Sequence, residues 1–236
     1  MAPSSTTSPD LHGQPVRAVI LDFDGLIVDT ETPIFETWLE VFREHGAAFT
    51  LDEWQHSLGT RGGFDPVAVL RERSLSPFDG EAVHAEVRTR NRVRCEAQPL
   101  LPGVRALAED ARAAGLGTAV ASSSPVSWVE GWLERHGISS LFDVLCAADH
   151  VTEVKPDPEL FLLAAERLGV PPGSCLVFED SPNGMRAAHA AGMRCVAVPN
   201  ALTAALELPD PTLVVPSLAA VPLAAIFHRL GLDRSA

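Results

Sequence analysis

Asp22 and Asp24 stand two residues apart at the end of the apolar run Ala18–Leu21 and are followed at once by Gly25. Residues i and i+2 of a strand share a face, so both carboxylates would be presented side by side at a strand end. Two like charges this close repel unless a cation or a shared proton relieves them. Three further polar groups follow the same rule of placement. Ser122-Ser123-Ser124 comes directly after Thr118–Ala121, Lys155-Pro156 comes shortly before a helical stretch, and Glu179-Asp180-Ser181 comes directly after Leu176–Phe178. Taken singly, each group could do no more than cap a helix. Brought together, they would give one site with four carboxylates, one ammonium and a turn of hydroxyls and N–H groups that can cradle an anion. Four acids in one place demand a divalent cation. Magnesium suits them, since it takes a few hard oxygens and leaves room for substrate oxygens and water. With no His or Cys beside the acids, zinc is disfavoured. The set fits phosphoryl transfer, in which metal and lysine offset charge on the transferring oxygens.

The elements that must position these groups follow from the hydrophobic pattern. Ala18–Leu21 is apolar at successive positions, as in a strand buried on both faces of a parallel sheet. Strands are expected at 118–121, 144–146, 175–178, 195–198 and 213–215, alternating with helices at 104–114, 126–136, 159–168, 184–191 and 218–230. Repeated strand–helix units imply an α/β fold, a doubly wound parallel sheet with helices on both faces. Ligands bind at the carboxyl ends of such strands, which is where the four groups lie. Between the first strand and the rest, residues 30–97 read as helical pieces only. They are expected to form a small all-helical insert standing over the sheet edge on hinges near Thr30 and Pro99. The expected division is a tail at 1–14, a core at 15–29 and 98–236, and the insert at 30–97.

The bulk numbers bound the function. The formal net charge of -13 argues against nucleic-acid binding. Cys95, Cys146, Cys175 and Cys195 show no CxxC spacing, which suggests neither a disulfide framework nor a zinc site but reduced thiols in a cytoplasmic protein. The Ser/Thr/Pro-rich start has no signal-peptide pattern and reads as a flexible tail. No apolar run approaches a membrane span. A monomer is expected. Among 18 lysines and arginines, Lys155 is the only lysine. A compact point charge in an otherwise arginine-using chain points to a place that needs that shape. The run Arg88, Arg90, Arg92 and Arg94 reads as a solvated helix face.

Together, Asp22-Phe23-Asp24-Gly25 with Asp29-Thr30, Ser122-Ser123, Lys155-Pro156 and Glu179-Asp180-Ser181-Pro182-Asn183-Gly184 resemble the haloacid dehalogenase superfamily. The likeness is to its phosphatase and phosphomutase branch, with a helical cap after the first strand. The resemblance implies that Asp22 is a nucleophile forming an aspartyl-phosphate, and that Asp24 protonates the leaving oxygen and then activates water. It implies magnesium held by Asp22, the Asp24 carbonyl and Asp180, with Glu179 a ligand or close behind. Ser122, the Ser123 amide and Lys155 would bind the phosphoryl group. The presence of Asp24 argues against a dehalogenase, and the lack of lysine in the insert argues against the phosphonate-cleaving branch.

Within that branch the chain is similar to sugar-phosphate phosphatases and β-phosphoglucomutase. Leu58-Gly59-Thr60-Arg61 matches the cap motif whose arginine contacts substrate, and Ser124 is expected to touch substrate too. The mutase carries a histidine where this chain has Ile34, and lysine and asparagine where it has Pro125 and Val126. With fewer groups to grip a second phosphate, hydrolysis of a small phosphomonoester is the expected activity and a phosphosugar mutase the alternative.

Overall fold

The computed structural model of the chain describes residues 14–55, 58 and 64–232. The expected tail, 1–14, lies outside them except for Gln14. β1 (Ala18–Leu21) is followed by four helices, α1 (Glu31–Glu44), α2 (Leu51–Trp54), α3 (Pro66–Arg73) and α4 (Gly80–Glu96). The alternating part runs α5 (Val104–Ala113), β2 (Gly117–Ala121), α6 (Val126–Arg135), β3 (Val144–Cys146), α7 (Glu159–Leu168) and β4 (Cys175–Glu179). It ends with α8 (Pro182–Ala190), β5 (Arg194–Ala197), β6 (Leu213–Val214) and α9 (Leu223–Arg229). The six strands form one sheet in the order β3-β2-β1-β4-β5-β6, and every pairing is parallel. The order reverses at β1 and β4, the place where an open α/β sheet forms its ligand crevice.

β1 is buried at all four positions, and its residues divide by parity between two cores. Val19 and Leu21 pack with Leu107 of α5, Val129 of α6 and Ile226 of α9. Ala18 and Ile20 pack with Leu160 of α7 and Met185 of α8. The successive apolar positions in the sequence are thus one strand sandwiched between two helical layers. Burying Ile20 and Leu21 completely contributes about 1.5–3 kcal/mol apiece. Register then sets the site: Leu21 pairs with Val120 and Phe178, so Asp22 comes level with Ala121 and Glu179. Ser122 and Asp180 follow one step beyond the sheet edge.

The helical insert has its own aromatic core, with Phe42 and Phe49 stacked at 4.4 Å between ring centroids. No strand occurs among its described residues. Leu202 and Leu206, from the segment after β5, pack into this core from below. The two connections meet where Val28 forms a single antiparallel bridge with Leu100. Cys95, at the end of α4, donates from its thiol to the Thr30 carbonyl.

Local chemistry sets where helices begin. Glu53 accepts from the Thr50 N–H at 3.0 Å, which starts α2 at Leu51. Pro222 precedes α9, so the closing helix starts at Leu223 and residues 218–221 form a turn. The arginines of α4 do not share one solvated face: Arg88 and Arg92 are exposed, whereas Arg90 and Arg94 turn to α1, Arg90 pairing with Glu44 at 2.8 Å and Arg94 with Glu40 at 2.6 Å. Such exposed pairs are worth about 0.2–1 kcal/mol each.

Candidate active site

Lys155 is fully buried, and its three ammonium protons are all used. It donates to the Asp22 carboxylate, to the Ala121 carbonyl at 2.8 Å and to Glu179 Oε1 at 2.8 Å. An arginine fork could not address three acceptors converging on one point, which gives the lone lysine its physical reason. Burial alone would pull its pKa down. Asp22 and Glu179 outweigh that and hold the ammonium above its usual range.

Glu179 is tied on both oxygens. Oε2 accepts from the Ser181 N–H at 2.8 Å and the Ser181 hydroxyl at 3.0 Å, while Oε1 takes Lys155. This carboxylate lies under the first turn of α8, where Gly184 leaves the room: a Cβ there would fall 1.7 Å from Glu179 Oε1. Asp180 is different. Oδ2 accepts from Asn200 Nδ2 at 2.7 Å, but Oδ1 is buried with no hydrogen-bond partner. Oxygens of Asp22, Glu179 and Asp180 all lie within 4.8 Å of one another. An orphaned buried carboxylate oxygen beside two other acids fits a hard dication, and no nitrogen or sulfur ligand joins the set. Magnesium therefore suits the residues present.

Burial pushes the Asp22 carboxyl upward, Lys155 pulls it back, and Glu179 and Asp24 push it up again, to about 8. Asp180 is raised by burial and by Glu179 and Asp22. The sign for stability follows. The unfolded carboxyl ionises near 3.8, while the folded one holds its proton to about 8. Stability from this group is thus complete below the lower value and lost as pH rises through the upper one. Without divalent metal, the melting temperature is expected to fall between about pH 5 and about pH 8, and excess magnesium to reverse the trend. Thermal melts in chelator across that range check this, and a metal-free melting point that climbs with pH would contradict it.

Asp24 points away from the acid cluster into four donors. Oδ1 accepts from Thr30 Oγ1 at 2.7 Å and Trp128 Nε1 at 3.1 Å. Oδ2 accepts from Ser124 Oγ at 2.7 Å and Ser122 Oγ at 3.1 Å. Gly25, at φ +83°, turns the chain away directly afterwards. Beside Asp24 opens a cleft of about 470 Å³ between α1 and the serine turn, walled by Glu31, Ile34, Asn91 and Trp128. Glu31 is pushed up to about 8 by burial and by Asp24, Asp22 and Asp29.

The structure thus brings Asp22, Asp24, Ser122, Ser123, Ser124, Lys155, Glu179 and Asp180 to one sheet edge. Arg61 lies outside the described residues. Three contributors go beyond the roles read from the sequence: Thr30 and Trp128, which hold Asp24, and Asn200, which holds Asp180. Asn200 follows a strand end, so the rule that found the other groups would have found it at β5. Trp128 carries no such signal, because an indole in the first turn of a helix reads as core.

Known proteins resemble the chain along most of its length. It is 44% identical to YhcW of Bacillus subtilis over 216 residues, 92% of this chain and 98% of the relative. It is 36% identical over 182 residues to a phosphorylated carbohydrates phosphatase of Thermotoga maritima, 75% of this chain and 82% of the relative. Among solved structures, CbbY of Rhodobacter sphaeroides in complex with xylulose-1,5-bisphosphate superposes with a TM-score of 0.69 at 29% identity, covering 87% of this chain and 96% of that one. The haloacid dehalogenase-like hydrolase model matches residues 16–192. With the lysine-centred acid cluster at the sheet's reversal point, that match shows that the chain belongs to the haloacid dehalogenase-like hydrolases.

Proposed function

We propose that the protein is a magnesium-dependent phosphatase that hydrolyses a small phosphomonoester, a sugar phosphate, through an aspartyl-phosphate on Asp22. One observation carries the reading: the only lysine of the chain is buried against Asp22, whose neighbour Asp180 keeps a buried oxygen with no partner. Magnesium, when bound by Asp22, Asp180 and the Asp24 carbonyl, supplies positive charge against the oxygens of the transferring group. Glu179, with both oxygens engaged, orients Lys155 and stands behind the ligands.

In the first step an Asp22 oxygen attacks phosphorus, the bond to the sugar oxygen breaks, and Asp24 gives that oxygen its proton. In the second, Asp24 takes a proton from water, the water oxygen attacks phosphorus, and Asp22 is released with inorganic phosphate. Ser122, the Ser123 amide and Lys155 hold the phosphoryl oxygens, Lys155 by redirecting the N–H it gives to Asp22 once that carboxylate turns to phosphorus, and Lys155 keeps its charge throughout. The insert, residues 30–97, serves as a cap domain for the core, with Arg61 and Ser124 as substrate-binding residues. A carbohydrate leaving group fits the 470 Å³ cleft, and relatives include a phosphatase of phosphorylated carbohydrates. Ile34 and Pro125 line that cleft where a mutase would need polar or cationic groups. Four buried, unpaired cysteines suit the cytoplasm. No described helix is long and apolar enough to cross a membrane.

A phosphate-release screen over sugar, nucleotide and glycolytic phosphates tests this. Release from a hexose or pentose monophosphate in magnesium, falling to background in chelator, is expected. Conversion of β-glucose 1-phosphate to glucose 6-phosphate without phosphate release would establish the mutase instead, and silence across the panel would refute both.

A further inference from the structure

After β5 the chain runs Val198-Pro199-Asn200, and Asn200 sits where two loops of the site meet. Its amide has one orientation that satisfies its neighbours. Oδ1 accepts from the Leu202 N–H at 2.9 Å, the Thr203 N–H at 3.1 Å and the Thr203 hydroxyl at 3.2 Å. Nδ2 donates to Asp180 Oδ2 at 2.7 Å and to the Gly25 carbonyl at 3.2 Å. One end faces donors and the other faces acceptors, so the side chain cannot be turned over without losing every bond. Thr203 closes the turn by accepting from the Asn200 N–H at 2.9 Å and is wholly buried. Leu202, between them, is buried in the aromatic core of the insert, which pins the turn from above.

The consequence falls on Asp180. With Oδ2 held by Asn200, Oδ1 is left buried, without a partner and within reach of the other acids. The neutral amide suits this purpose. A lysine or arginine in its place would cancel the charge that the dication needs, whereas an N–H donor aims the carboxylate and leaves it anionic. Space is reserved for the contact: a Cβ on Gly25 would fall 2.6 Å from Asp180 Oδ2 and 2.7 Å from Asn200 Nδ2. We propose that Asn200 is a positioning residue of the dication site, fixing Asp180 and the Asp22–Gly25 loop relative to each other. This inference rests on the proposed magnesium site.

The test is magnesium titration of the purified full-length protein by calorimetry, beside far-ultraviolet circular dichroism and thermal melting. Asn200→Ala removes both ends of the amide. Asn200→Ser keeps a hydroxyl that can accept from the turn N–H groups but is too short to reach Asp180. Both folded variants are expected to bind magnesium about 10–100-fold more weakly than the parent. A folded serine variant with parental affinity would overturn the proposal. So would loss of fold in the serine variant, which would assign Asn200 to the turn alone. If the parent protein itself binds no magnesium, the metal reading fails first, and that outcome is visible before any variant is made.

Discussion

Asp22→Asn is expected to lower phosphate release by at least about 10⁴-fold while leaving the fold intact. An amide oxygen cannot form the acyl phosphate, so the two-step route closes rather than slows. The substitution is nearly isosteric, and the remaining oxygen can still accept from Lys155. It also removes a carboxylate that burial strains, so the metal-free variant is expected to melt no lower than the parent. Two measurements check this: steady-state release with the best substrate of the screen, and acid-quench trapping of phosphorylated protein in a single turnover. The parent should trap phosphate on the chain and the variant should not. A variant retaining more than about a hundredth of the parental rate would remove Asp22 from the nucleophile's place.

Lys155→Met should do the most damage to stability. Methionine fills much of the stem's volume but leaves Glu179 buried with no cation beside it and takes from Asp22 the charge that draws its carboxyl down. Removing one partner of a buried ionic group costs about 3–5 kcal/mol, since the remaining charges stay desolvated. The Ala121 carbonyl loses its donor as well. Phosphate release should fall by at least about 10²–10³-fold, the scale for losing one donor to the oxygens of a transition state. Urea unfolding of parent and variant reads the first effect directly. A midpoint unchanged within error would show that the acids rearrange or take up protons at no cost, against the network described above.

Much of this site is legible before any coordinates. Three of the four polar groups stand out because each directly follows an apolar strand, and parallel topology carries such ends to one edge; Lys155 reaches that edge from the connection between β3 and α7. The lysine stands out through composition. Strand and helix limits in the alternating part fall within one or two residues of the hydrophobic pattern, except where Pro222 delays α9. Contacts between side chains remote in sequence are another matter. Trp128 reaches Asp24 across 104 positions, and Thr30 meets it across 6 only because the Gly25 turn folds the chain back. Neither follows from periodicity. The bridge between Val28 and Leu100 is equally silent, being a single pairing rather than a strand. Asn200 was within reach, since it obeys the strand-end rule; its purpose, however, depends on the Leu202 anchor, which ties it to a different layer.

That solitary bridge has a wider meaning. Because outgoing and returning chains touch at Val28 and Leu100, the core experiences everything between them as one closed excursion with adjacent ends. Closing such an excursion costs only about 0.6 kcal/mol more for each doubling of its length. The insert can therefore be lengthened or reshaped with little disturbance to the sheet that carries the acid cluster.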